Sequence, residues 1–201
     1  MKQVTSLGVA LVLAAAAASA AAQTMAASQN VTLSSSLSGA YATLKGNLTQ
    51  AADDMTEANY GFNPMPQSDL HRGDARKSAG DSSRVAESKP SRTYSQVIAH
   101  QADNQFSACA TIKGVPNPSP GYEAKAMKAT KSELVKALAD AFAFCDGAIA
   151  TLTDQNALEM LKRGDGETAR GALVAALIAH GHGSASTAAV YLRLKGIARP
   201  W

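Results

Sequence analysis

Three histidines stand where chemistry could be built: His100, His180 and His182. A neutral imidazole nitrogen offers a lone pair near neutral pH, which suits it to zinc, nickel and similar ions. A catalytic metal site set between helices takes about three such ligands and leaves one position open for water. His100 and His180 could supply two. The residue one turn beyond His180 on the same helical face is Ser184, not a third histidine. His182 is only two residues on, roughly 200° round an ideal helix, and faces elsewhere unless the flanking Gly181 and Gly183 let the backbone distort. Asp103 and Asn104, one turn from His100, could orient a ligand or a water from behind. The competing reading is a hydrogen-bonded interior pair of histidines with a third facing solvent. His71 sits in a polar stretch and reads as a free surface imidazole.

Cys109 and Cys145 are the only cysteines, too few for a disulfide scaffold or a cysteine-based structural zinc site. Both fall on apolar stripes, where cysteine is ordinarily a small filler. Each lies about 20–24 Å along its own helix at 1.5 Å per residue. If the two helices run parallel the sulfurs lie level. If they run antiparallel they are about 20 Å apart in height, beyond the ~5–7 Å that a disulfide allows.

Four amphipathic segments must position these groups. Leu33, Leu37, Tyr41, Leu44, Leu48, Ala51 and Met55 recur at steps of three and four, the mark of a helix face. Asn59 to Pro64 ends that helix. A second runs from about Thr93 to Lys113, with Tyr94, Ile98, Ala102, Cys109 and Ile112 on one face. Val97, His100, Asn104 and Ala108 lie on a more polar neighbouring face. Gly114 caps it and three prolines forbid continuation. A third begins at Thr130 or Ser132 with Glu133 in its first turn. A short helix over 156–162 is expected before the last helix, about Thr168 to Lys195. In that last helix Gly181 and Gly183 each cost ~1 kcal/mol relative to Ala, and a kink is expected there. No strand is expected, so the fold class is all-α and the leading architecture a four-helix bundle over 33–198.

The chain has 201 residues and a net charge of +3, from 19 Lys+Arg against 16 Asp+Glu, with aromatics at 5%. That charge is too small for a dedicated nucleic-acid binder, and no basic stripe interleaves with aromatics. Met1-Lys2, the apolar run from Leu7 to Ala18 and the small residues Ala20 to Ala22 follow the three-part layout of a secretory signal peptide. The sequence therefore predicts cleavage near Ala22, a flexible leader over 23–32, and a periplasmic or secreted mature chain. No later segment reads as long and apolar enough to span a membrane. Residues 67–91 are charged, small and polar, and read as a solvated insert.

Three stretches carry a family resemblance: Tyr60-Gly61-Phe62-Asn63-Pro64, Arg92 to Asp103 around His100, and Ala179-His180 with Tyr191-Leu192-Arg193-Leu194-Lys195-Gly196-Ile197. They resemble the DinB/YfiT-like metalloenzymes, and Phe142 to Asp146 is similar to the third helix of exported members. The resemblance covers about 33–198 outside the insert. It implies an up-down-down-up bundle, which would set the second and third helices parallel. It implies zinc, nickel or iron held by three histidines, with His100 and His180 at two of those positions, and in some members transfer of a low-molecular-weight thiol. The third position falls on Ser184, with His182 as a substitute. The functional expectation is an exported protein binding a divalent metal, with thiol-transferase or hydrolase-type chemistry on a small molecule. The alternative is a catalytically silent periplasmic bundle that binds a small ligand or partner protein. A homodimer is a candidate assembly for either.

Overall fold

A computed structural model describes residues 31–65 and 91–198. The expected signal segment, residues 23–30 of the leader, His71 and the insert over 67–90 lie outside the described residues. Four long helices dominate: α1 (Leu33–Asp54), α2 (Tyr94–Lys113), α3 (Lys131–Ile149) and α4 (Arg170–Leu194). The first three begin with reciprocal caps. The Thr32, Thr93 and Thr130 hydroxyls accept from the backbone N–H of Ser35, Gln96 and Glu133, and each partner side chain reaches back to the cap. Gly114 closes α2 in the left-handed region, at φ 66°, as its place before the prolines predicts.

The apolar stripes meet in one core. Leu44, Leu48, Ile98, Leu134, Leu138, Phe142 and Leu192 are all at most 1% exposed. Each contributes about 1.5–3 kcal/mol of burial free energy. Two sets of contacts tie the ends. At one end the Tyr94 hydroxyl donates to the Ala51 carbonyl (2.5 Å), Lys131 Nζ donates to the Met55 carbonyl (2.8 Å), and the Tyr94 and Tyr191 rings lie 6.2 Å apart. At the other, Arg170 Nη1 donates to the Ile112 carbonyl and the Ser34 N–H to Asp154 Oδ1, both at 2.8 Å. Cys109 of α2 and Cys145 of α3 form a disulfide, with Cα atoms 5.3 Å apart.

Five expectations change. Residues 156–162 do not form a helix, and the chain is not free of strands. Turns lead to β1 (Met160–Arg163), which pairs antiparallel with β2 (Gly166–Ala169). The cause is the two-residue Gly164-Asp165 connection, in which Gly164 takes φ +59°. Thr168 accordingly belongs to a strand, and α4 starts at Arg170. Gly181 and Gly183 do not interrupt α4, which is one unbroken helix. Finally, α4 is long and apolar enough to cross a membrane by length and composition. Its Leu173, Val174, Leu177, Ala188 and Leu192 are buried in the core, so a packed interior face accounts for that composition.

Candidate functional site

His100 lies in the second turn of α2 and His180 midway along α4. The two helices meet so that the rings face each other, with centroids 5.1 Å apart and planes at 58°. Their Nε2 atoms are 3.0 Å apart. On the other side of the His100 ring, Nδ1 lies 2.7 Å from Glu123 Oε2. A carboxylate accepts only, so Nδ1 carries the proton in this pair and Nε2 presents its lone pair toward His180. Arg92 Nε donates to the second Glu123 oxygen at 2.5 Å. Burial pushes the Glu123 carboxyl up. The hydrogen bonds and charges of Arg92 and His100 outweigh it, and the net shift is downward. Burial, and then the neighbouring charges of His100 and Arg92, holds the His180 imidazole below the usual histidine range.

Glu123 is itself held in place. It sits in a single helical turn, Tyr122–Lys125, entered through Gly121 at φ +78°. The Asp103 carboxylate accepts from the Tyr122 N–H (2.9 Å), the Glu123 N–H (2.8 Å) and the Ser119 hydroxyl. Asp103 thus acts on the site at one remove, by pinning the turn that carries the carboxylate. Tyr191 does the same for Arg92, donating its hydroxyl to the Arg92 carbonyl at 2.8 Å.

The rings open on a cleft of about 440 Å³ lined by His100, His180, Arg92, Val97, Gly183 and Ser184, among others. Ser184 is therefore brought to the site. His182 is not a lining residue: it is half-buried, and in an unbroken helix it stays roughly 200° round from His180. Asn104 is half-buried and makes no hydrogen bond to either ring among the described residues. Glu123 and Arg92 are the residues that sequence reasoning missed. Arg92 lies in the stretch around His100 but carries no signal of its own. Glu123 is 23 positions from His100, and nothing local links the two.

A model of the DinB superfamily matches residues 40–183 of the chain. The protein belongs to the DinB superfamily. The matched stretch includes both His100 and His180 and stops one residue short of Ser184. No curated protein matches this DinB-superfamily chain.

The donor set fits a divalent ion in part. Two nitrogens about 2.0–2.1 Å from a tetrahedral ion lie about 3.3 Å apart, close to the spacing of the two Nε2 atoms. Glu123 behind His100 is the hydrogen-bond partner that fixes a ligating imidazole's tautomer. No group of three or more His, Cys, Asp or Glu side chains suited to a metal occurs among the described residues. The fit is thus two imidazoles, with the cleft and the Ser184 hydroxyl on the remaining sides.

Proposed function

We propose that this DinB-superfamily protein binds a divalent metal through His100 and His180 at the mouth of an up-down-down-up four-helix bundle. The bundle reading is supported by the end contacts: α1 and α4 close where α2 and α3 open. The proposal includes export after cleavage near Ala22 and a small-molecule or thiol substrate. The observation that carries the metal reading is the 3.0 Å approach of two Nε2 atoms with a carboxylate on the far side of one ring.

The chain's own residues have definite tasks in this reading. Glu123 keeps the His100 proton on Nδ1, leaving Nε2 free to ligate. Arg92 neutralises Glu123 and holds its carboxylate in line with the ring. His180 stays neutral at neutral pH because its pKa is held low, so its lone pair is available. Ser184 offers a hydroxyl to a water or ligand in the open part of the cleft. A bound zinc, nickel or iron ion would supply Lewis acidity, polarising a substrate or lowering the pKa of a water or thiol.

The test is metal content. The full chain, purified without a chelating tag, should hold about one equivalent of zinc, nickel or iron, and His100→Ala should lose it. A second reading is favoured by one observation: without a third ligand, the two imidazoles can satisfy each other by a direct hydrogen bond. That reading is a catalytically silent exported bundle that binds a small ligand or partner. Metal-free protein that takes up no added zinc would establish it over the first.

A further inference from the structure

We infer that the cleft takes a small organic acid, with its single carboxylate on Arg92 and its chain against the backbone of α4 at Gly183. This deepens the reading of the cleft as a binding site, and its charge argument is made for the metal-free cleft.

A guanidinium has five N–H donors in a planar fork. Arg92 spends Nε on Glu123. Its Nη2 lies 3.4 Å from His100 Nδ1, but that nitrogen carries the proton it gives to Glu123 and cannot accept another. Four N–H groups are left without an acceptor among the described residues, on a half-exposed side chain that lines the cleft. A planar fork of this kind receives a carboxylate through two parallel hydrogen bonds. The Ser184 hydroxyl, on the same wall, adds a donor. Charge decides between carboxylate and phosphate. Among the described residues, Arg92 is the one Lys, Arg, Asp or Glu lining the cleft, and Glu123 already shares its charge. With that ion pair near neutral, a monoanion leaves one charge uncompensated and a phosphate dianion leaves two, so the carboxylate is the less costly anion there.

The second observation is independent of charge. Gly181 and Gly183 both fall inside one unbroken helix, where glycine is the poorest helix former after proline. A Cβ at Gly181 would overlap the Leu44 side chain, so packing accounts for that glycine. A Cβ at Gly183 would meet nothing within 4 Å, and the backbone there is ordinary helix. Neither packing nor conformation requires glycine at 183, and helix propensity opposes it. Gly183 does line the cleft, where a missing side chain lets a ligand lie on the backbone. Val97 and Tyr191 supply apolar walls beside it, and about 440 Å³ is room for a small acid.

The experiment is calorimetric titration of the EDTA-washed and the zinc-loaded full chain with benzoate, hexanoate, their primary amides and inorganic phosphate. The acids should bind, and the amides and phosphate should bind at least tenfold more weakly. Arg92→Gln should weaken the acids at least tenfold, and Arg92→Lys should recover only part of that. Gly183→Leu, which puts a side chain into the cleft, should abolish binding with no fall in melting temperature. In the EDTA-washed protein, amides that bind as tightly as acids, phosphate that binds more tightly, or an Arg92→Gln protein that binds acids unchanged would each overturn the proposal. Zinc content measured on the same samples separates the two ideas. Loss of zinc with His100→Ala concerns the metal, and loss of acid binding with zinc retained concerns Arg92.

Discussion

Helix α2 makes two seams of opposite character. Against α3 it is closed: Cys109 is bonded to Cys145, the Phe106 and Phe144 rings lie 5.6 Å apart, and Lys113 Nζ stands 4.1 Å over the Phe144 ring. Against α4 it is shut at both ends, by Tyr94 on Tyr191 and by Arg170 on the Ile112 carbonyl, yet open between them at His100 and His180. The closed seam buries apolar area and a covalent link. The open seam holds imidazoles, a guanidinium and hydroxyls around free space. One helix thus carries stability on one side and chemistry on the other. The rigidity of the first fixes the position of the second, as a site on packed elements requires.

The largest effect should come from the closed seam. With 36 residues separating the cysteines, Cys109→Ala with Cys145→Ala should cost about 4 kcal/mol by loop-closure entropy, read by urea unfolding. Zinc content in the folded protein should be unchanged. If zinc falls in step with stability, the two seams are one unit and the contrast fails. On the open seam, Glu123→Gln should weaken zinc about 10–100-fold, the usual effect of losing such a partner, while the unfolding midpoint hardly moves. Ser184→His places an imidazole one turn beyond His180 on the cleft wall. Zinc affinity measured by competition with a chelator should then rise about tenfold, by one added ligand. No gain would mean that the cleft geometry at Ser184 does not converge on the ring pair.

The smallest effect is on pH dependence. His180 is held low by burial first, and then by His100 and Arg92. The unfolded chain therefore takes up this proton before the folded one does. The associated stability is whole above the ordinary histidine value of about 6.5 and declines as pH falls from there toward the lowered folded value. His180 is partly exposed, so solvent screening keeps the change in melting temperature between pH 7.5 and 5.5 to about 2 °C or less. His180→Gln should remove that part of the slope. An unchanged slope would locate the pH sensitivity outside the open seam.

Much of the closed seam was legible in the sequence, because it is made by periodicity. Tyr94, Ile98, Cys109 and Ile112 recur at helical steps, and Thr93, Thr130 and Gly114 mark the ends by capping chemistry. Much of the open seam was not. Two histidines 80 positions apart can be named from their residue type, but Glu123 reaches His100 only because Asp103 draws the chain over 119–123 back onto α2. Such a fold-back leaves no local pattern. The 160–169 hairpin was missed for a different reason. Met160 to Lys162 suits a helix as well as a strand, and the Gly164-Asp165 turn decided it. Ser184 is visible in sequence as an absence of histidine; only the structure makes it a wall of the cleft.

Gly181 follows His180 directly and rests on Leu44, on a neighbouring face of α4 about 100° round from His180. It works as a depth stop. The thickness of bare backbone there sets how near α4 can sit to α1, and with it how far His180 reaches toward His100. A lineage of such chains could retune the ring-to-ring gauge by adding one methyl at a position no ligand ever meets.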